Sequence, residues 1–383
     1  MGIIRISANV YNVGVIDPFI RQKDLIKTCP FGTSYNSYFI DDRKTALIGI
    51  VNNELFNDFK YNLGLVCDIG AIDYLILNSI TSGCAESVGK LLKISPNTTI
   101  ICTSLTKNMI DNTLHTDYKY IIVNNGDKLK LGNSVLNFIV SSDHMMTYFE
   151  KDATLFSGNV FGADFAEPKG IDEDIIYKSE YDEELYSYFN AYIKPYSEDI
   201  YNIINKISEK NIYHIAPSNG IVVTDNVDEV IAKYKEWCNI KINNKAVVLY
   251  CSSSGNTKII AEAICNTLEK ISIPYEIVNM ATATPEQCRD TIYNSKYVIA
   301  GSCTINNTLP PVAVCALSKI ININNQNKKF LTFGSYGWSG EAIDTLAVKL
   351  QLCGMSQLAK PFKVKMKPTE KDIAEIENII MNL

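Results

Sequence analysis

The chain has 383 residues, enough for two or three domains. Hydrophobic residues make up 46% and charged residues 20%, which excludes a disordered chain, and a net charge of −6 at pH 7 argues against a nucleic-acid binder, whose affinity comes from cations set against phosphates. No apolar run reaches the length of a membrane span, and the opening MGIIRISANVYNVG lacks the layout of a secretory signal. Eleven cysteines without any C-x-x-C pair then read as reduced, mostly buried thiols of a cytoplasmic protein.

The first half is strand-rich. Residues 35–51 read as two strands joined by the charged turn Asp41-Asp42-Arg43-Lys44. Short apolar runs follow at Tyr74–Leu77, Thr98–Cys102 and Tyr120–Val123, and Asn125-Gly126 is a hairpin-type turn signal. Leu129–Leu131, Val135–Val140 and Thr154–Phe156 continue the pattern, while Ala85–Leu92 reads as a short helix that breaks at Ser95-Pro96. Sheets with helices on their outer faces predict an α/β sandwich. Residues 170–210 turn acidic and tyrosine-rich, and predict two helices separated near Pro195 that cover the sandwich. A helix at Val227–Trp237 leads into the polar stretch Asn239–Lys245, the expected linker between domains 1–242 and 243–383.

Strict alternation follows. Strand Ala246–Tyr250, helix Asn256–Lys270, strand Tyr275–Val278, helix Pro285–Asn294, strand Tyr297–Ala300, helix Pro311–Ile321 and strand Phe330–Phe333 succeed one another. Helix Gly340–Leu352, a short strand Phe362–Met366 and a last helix opening at Thr369, with a capping-box spacing to Asp372, complete the run. This predicts a doubly wound parallel sheet, whose ligands bind beyond the carboxyl ends of the strands.

Three strand-end loops have unusual composition. Ser252, Ser253, Ser254, Gly255, Asn256 and Thr257 stand between the first strand and the first helix, where hydroxyls and amides at a helix N-terminus make a site for one phosphate. Neither G-x-x-x-x-G-K-[ST] nor G-x-G-x-x-G is present, which disfavours a nucleoside triphosphate or a dinucleotide; a plain serine-rich turn with a helix cap is the competing reading. Gly301–Pro310 includes Thr304, Ile305, Asn306 and Asn307, and Gly334–Gly340 includes Ser335, Tyr336, Gly337 and Trp338, one of two tryptophans. Glycines admit a close backbone approach and aromatics stack on a ring. A phosphate cradle with a planar-ring clamp fits flavin mononucleotide (FMN).

The stretches YCSSSGNT (Tyr250–Thr257), GSCTINNTLPP (Gly301–Pro311) and FGSYGWSGEA (Phe333–Ala342) resemble the FMN loops of flavodoxins, and more closely those of flavodiiron proteins, the A-type flavoproteins. The family's Ser-Pro-Thr-Tyr is here Ser302-Cys303-Thr304-Ile305, one aromatic fewer. Gly32–Ile40, Asp143–Tyr148, Leu155–Gly162 and Ala216–Gly220 are similar to that family's metallo-β-lactamase-like domain. The resemblance implies an N-terminal αββα sandwich, a C-terminal flavodoxin-like domain, a head-to-tail homodimer, and a reduced small redox protein or a reductase as electron donor. No rubredoxin-like cysteine motif is present, so such a centre is expected on a separate chain.

In the family the first domain holds two irons through a His-x-Glu-x-Asp-His run and three later ligands. Here those positions carry Ser79, Thr81, Gly83 and Cys84, then Val140, Asn159 and Asn219. With only three histidines, His115, His144 and His214, the chain is not expected to hold a di-iron centre. A rebuilt site would draw on Cys84, Glu86, Asp143 and His144. The expectation is therefore a metal-free FMN flavoprotein acting in electron transfer or flavin-dependent oxidoreduction. The competing readings are an active oxygen or nitric oxide reductase, and a non-enzymatic chain: a non-catalytic paralogue or regulatory subunit that pairs with an intact flavodiiron oxygen or nitric oxide reductase, or a sensor that reads flavin state. No residue is identified as a catalytic acid or base.

Overall fold

The computed structural model describes residues 2–141, 144–239, 243–320 and 325–383. The chain divides into two compact units, Met1–Ile193 with Ser197–Asn239, and Lys194–Tyr196 with Ile240–Leu383.

Among the described residues, the first unit contains a seven-stranded and a five-stranded sheet. The first runs Ile4–Arg5, Val10–Asn12, Tyr38–Ile40, Ala46–Ile48, Tyr74–Ile76, Thr99–Cys102, Tyr120–Ile122 in spatial order. The second runs Lys128–Lys130, Val135–Ser141, His144–Phe149, Thr154–Gly158, His214–Pro217. Side chains alternate across a strand, and here both sets are apolar: Tyr38 and Ile40 pack against Phe138, Phe149 and Phe156 between the sheets. Phe39, from the same strand, packs outward against Phe59, Val88 and Leu91 of the helices. On the far side Leu155 and Ile215 meet Leu185, Ile200 and Ile204 of the tyrosine-rich helices Lys178–Tyr188 and Ser197–Ile207, and Phe189 just after the first of them. The αββα sandwich follows from sheets buried on both faces.

Two features of this unit depart from the expectation. Asn125-Gly126 does turn, with Gly126 at φ 89°, but it carries the chain from one sheet to the other and makes no hairpin. Strand His144–Phe149 was not read from the sequence because it is buried nearly throughout and lacks an exposed alternate face. The two expected helices, Lys178–Tyr188 and Ser197–Ile207, are separated around Pro195 as expected, by a π-turn over Phe189–Ile193 and a 3-10 turn over Lys194–Tyr196.

The second unit is a parallel sheet in the order Tyr275–Asn279, Asn243–Cys251, Ser295–Ser302, Lys329–Tyr336, with Ser356–Gln357 and Phe362–Lys365 sharing the last edge. Helices lie on both faces. Asn256–Lys270 and Glu370–Met381 cover Val248, Ile299 and Leu331, while Pro285–Tyr293 and Glu341–Leu352 cover Val247, Val298 and Phe330. Thr369 caps its helix reciprocally with Asp372. Of the expected linker Asn239–Lys245, residues 240–242 lie outside the described residues, and the strand already begins at Asn243. Helix Pro311–Ala316 is shorter than expected, and Ile321 lies outside the described residues.

Candidate functional site

The carboxyl ends of three neighbouring strands bring the three expected loops together. Asn243–Cys251, Ser295–Ser302 and Lys329–Tyr336 are successive parallel neighbours, so the segments that follow them lie at one edge of the sheet. Cross-links tie them. The Cys303 amide donates to the Cys251 carbonyl at 3.0 Å, the Ser335 amide to the Thr257 hydroxyl at 3.4 Å, and the Ser339 hydroxyl to Asn307 Oδ1 at 3.2 Å. The strands run further than the sequence suggested: Gly301 and Ser302 belong to one strand, and Gly334, Ser335 and Tyr336 to another. Small residues still extend that last strand because Gly334 and Ser335 pair in register with Lys363 and Val364.

The first loop ends on Gly255, the N-cap of the fifteen-residue helix Asn256–Lys270, at φ 85° with no capping side chain. A left-handed residue there is strained for anything but glycine, and the absence of a side-chain cap leaves the first-turn amides without an internal acceptor. Ser253 and Ser254 are exposed, Asn256 is half-buried and Thr257 is buried. In the second loop Asn306 and Asn307 both have positive φ, 50° and 59°, and Ile305 and Thr308 exchange backbone hydrogen bonds at 3.1 Å across them. This is a type I′ turn, which asparagine tolerates. It presents Ile305, Asn306 and Asn307 to solvent.

Two observations test these loops against FMN. Ser252 Oγ and Thr304 Oγ1 are shielded from water, yet neither has a hydrogen-bond partner in the protein. Buried hydroxyls are normally satisfied; Ser252, next to the uncapped helix amides, would donate to a phosphate, and Thr304, on the neighbouring loop, to a polar atom of a bound ring. Trp338 is 94% exposed, an arrangement that contributes no burial to the fold. Tyr336 and Gly337 beside it are half-buried. The residue types and their placement fit a phosphate with a planar ring.

The first unit holds a separate cavity of about 240 Å³. Six of the seven positions that correspond to family metal ligands line it: Ser79, Thr81, Gly83, Cys84, Asn159 and Asn219. The seventh, Val140, packs with the intersheet core instead. Of the candidates for a rebuilt site among the described residues, only Cys84 reaches the cavity. Its thiol donates to Asn52 Oδ1 at 3.0 Å, and burial holds it protonated. Glu86 accepts from Asn53 instead, His144 sits on a strand of the five-stranded sheet, and Asp143 lies outside the described residues. Asn219 is held on both sides, donating to the Ser34 carbonyl at 2.5 Å and accepting from Tyr188 at 3.3 Å.

The sequence reading missed the cavity's charged wall. The Lys23 ammonium lies 3.1 Å from Asp164 and faces the rings of Tyr35, Tyr188 and Tyr192 at 5.7, 5.5 and 5.6 Å. The tyrosine-rich segment therefore lines the cavity as well as covering the sandwich. No group of three or more His, Cys, Asp or Glu among the described residues is placed to hold a metal ion. Amides, hydroxyls, one protonated thiol, a fixed ammonium and a single carboxylate, Asp24, are not the donor set of a di-iron centre, so the residues present do not fit one.

Two folds with two sites define the class: a β-lactamase-like sandwich joined to a flavodoxin-like domain. The family model for flavodoxin matches residues 248–378, and that for the ODP family β-lactamase matches 33–220. The anaerobic nitric oxide reductase flavorubredoxin of Pectobacterium carotovorum is 30% identical over 381 residues, covering 95% of this chain and 75% of that one. An uncharacterized protein of Methanocaldococcus jannaschii is 33% identical over 345 residues, covering 88% and 86%. Among solved structures, rubredoxin oxygen:oxidoreductase from Desulfovibrio gigas superposes with a TM-score of 0.74 at 26% identity, over 99% of this chain and 96% of that one. The chain belongs to the flavodiiron (A-type flavoprotein) family. Its flavodoxin-like domain is the FMN-binding domain of that family.

Proposed function

We propose that this chain is an FMN-dependent electron-transfer flavoprotein or oxidoreductase that works without a di-iron centre. The observation that carries the flavin half is the pair of unpartnered hydroxyls, Ser252 Oγ and Thr304 Oγ1, beside the uncapped helix start at Gly255. In this reading Ser252–Thr257 hold the phosphate, while Thr304–Asn307 and Ser335–Trp338 hold the ring, with Trp338 as the exposed stacking partner. The bound flavin would supply the one- and two-electron chemistry. The protein's part is to bind it, orient it and set the polarity around it.

The metal-free half rests on the cavity, where the family's ligand positions are Ser79, Thr81, Gly83, Cys84, Asn159 and Asn219 and the charged lining residues are Lys23 and Asp24. The domains proposed are 1–242 and 243–383. A reduced small redox protein or a reductase is the proposed donor, a role supported by relatives named flavorubredoxin and rubredoxin oxygen:oxidoreductase. A head-to-tail homodimer in the cytoplasm is proposed from the family; no helix among the described residues is long and apolar enough to cross a membrane.

The test is to measure flavin and metal on the same purified chain, by extraction and elemental analysis. About one FMN per chain with negligible iron and zinc is expected. Two metal ions per chain would overturn the metal-free reading, and failure to take up flavin on reconstitution would overturn the electron-transfer reading.

A further inference from the structure

The two cysteines at the base of the flavin loops stand apart from the others. Cys251 ends its strand in register with Ser302, is 5% exposed, and immediately precedes Ser252. Cys303 is half-buried, immediately precedes Thr304, and donates its amide to the Cys251 carbonyl at 3.0 Å. Neighbouring strands lie about 4.8 Å apart with about 3.3 Å rise per residue. A residue one step beyond the register partner is then roughly 6 Å away at Cα, inside the range a disulfide spans. Each thiol shifts the acidity of the other, as close neighbours do.

Their acidities diverge. Burial pushes the thiols of Cys29, Cys67, Cys102, Cys238, Cys265 and Cys288 upward, toward the inert protonated form. Cys303 moves the other way. The hydrogen bond from Cys251, with further bonds from the amide and hydroxyl of Ser253, outweighs burial and holds its thiol below the ordinary range. Cys251 is correspondingly pushed up. One thiolate beside one thiol is the arrangement of an attacking and a resolving cysteine.

We propose that Cys251 and Cys303 form an oxidisable dithiol that closes into an intramolecular disulfide with hydrogen peroxide and thereby weakens FMN binding by the adjoining loops. The Cys303 thiolate attacks the peroxide, becoming a sulfenic acid as the O–O bond breaks and water leaves after taking up a proton. The Cys251 thiol then attacks the Cys303 sulfur, forming the S–S bond and releasing a second water. The two thiols lose two protons and two electrons, and the peroxide is reduced to two waters. Closure draws the sulfurs from non-bonded separation to about 2.05 Å, a movement of more than about 1 Å. Cys251 is fixed in the parallel ladder, so the Cys303 loop must give, and Thr304 is displaced with it. A binding site tolerates about 0.5 Å of misplacement.

The effect on flavin rests on the FMN reading above, whereas the disulfide does not. The experiment treats the full chain, first stripped of flavin and reduced, with hydrogen peroxide. Peptide mapping is expected to find Cys251 joined to Cys303, with the mass lower by about 2 Da and restored by dithiothreitol. Neither C303S nor C251S should form that link; C303S alone suffices if the buried C251S fails to fold. Flavin-fluorescence titration is expected to give about tenfold weaker FMN binding to the oxidised wild type than to the reduced, and no redox dependence in C303S. Absence of the Cys251–Cys303 link overturns the dithiol, and a link with unchanged affinity overturns the coupling. A reduced chain that takes up no FMN overturns the cofactor reading and the coupling together, leaving the dithiol to be decided by the peptide map.

Discussion

Lys23 sets its ammonium 3.1 Å from the Asp164 carboxylate, which is wholly shielded from solvent. Asp164 also accepts from the Thr33 hydroxyl at 2.8 Å and has Lys27 at 3.7 Å, and Lys27 in turn pairs with Glu184 at 2.5 Å. Two lysines and two carboxylates thus neutralise one another beside the cavity, by side chains alone. Breaking a buried pair costs more than the pair contributes, because a charge is left behind.

K23M is therefore expected to destabilise the sandwich unit by about 3 kcal/mol, the low end for a broken buried pair, since Lys27 remains. Methionine keeps the apolar stem among the tyrosines, so the loss reports charge and not packing. Trp237, half-buried against Phe189 and Tyr234 at 5.3 Å, is the probe; Trp338 is already exposed and contributes little change. Urea unfolding followed by tryptophan fluorescence should show a lower midpoint for K23M and partial recovery in K23M/D164N. An unchanged midpoint would mean that Lys23 does not neutralise Asp164.

The ion cluster also marks what the sequence could not disclose. Lys23 and Asp164 are 141 residues apart, and no local pattern links a lysine in a short hairpin to a carboxylate between the last two strands of the second sheet. Local signals were read well. The helix Asn256–Lys270 came from the spacing of Ile260, Ile264 and Leu268, and the Thr369–Asp372 cap from a three-residue offset. Six substituted ligand positions were traced by resemblance and do line one cavity. What failed was topological: Asn125-Gly126 looks the same whether it closes a hairpin or joins two sheets. Strand His144–Phe149 failed because burial of both faces erases the period of two.

Ser252 and Thr304 give a prediction with opposite signs in two states. Without flavin, an orphaned buried hydroxyl costs about 1–3 kcal/mol, so S252A and T304V should leave the apoprotein equally or more stable. With flavin, S252A loses a hydrogen bond to the charged phosphate, worth about 1.5–3 kcal/mol, and affinity should fall about 10- to 100-fold; T304V loses one to the neutral ring, worth about 0.5–1.5 kcal/mol, and affinity should fall up to about tenfold. Thermal unfolding of the apoprotein and fluorescence titration with FMN read the two arms. A variant that lost apoprotein stability would show that its hydroxyl already has a partner inside the fold.

Trp338 separates folding from ring binding. At 94% exposure its removal should not move the apoprotein's unfolding midpoint. If it stacks on the flavin, W338A forfeits about 0.5–1.5 kcal/mol of aromatic contact, or up to about tenfold in affinity, while W338F retains most of it. Equal affinity for wild type and W338A would remove Trp338 from the ring site and leave Tyr336 as that loop's aromatic.

Lys328 makes the flavodoxin-like unit sensitive to alkaline pH. It is almost wholly buried, and its ammonium donates to the carbonyls of Tyr293 and Ser295, both at 2.8 Å. Burial pulls its pKa down to about 8, below the value of about 10.4 expected in the unfolded chain. Between those values the unfolded state binds the proton and the folded state does not, so stability rises with pH across that window. Below about pH 8 both states are protonated and the folded state bears the full cost of the buried charge. Urea midpoints of the second unit should climb from pH 8 toward 10, after allowance for the trend of the K328M variant, in which this rise is absent. A wild-type profile that matched K328M throughout would mean that Lys328 keeps its proton when folded and that its two carbonyl acceptors fully offset its burial.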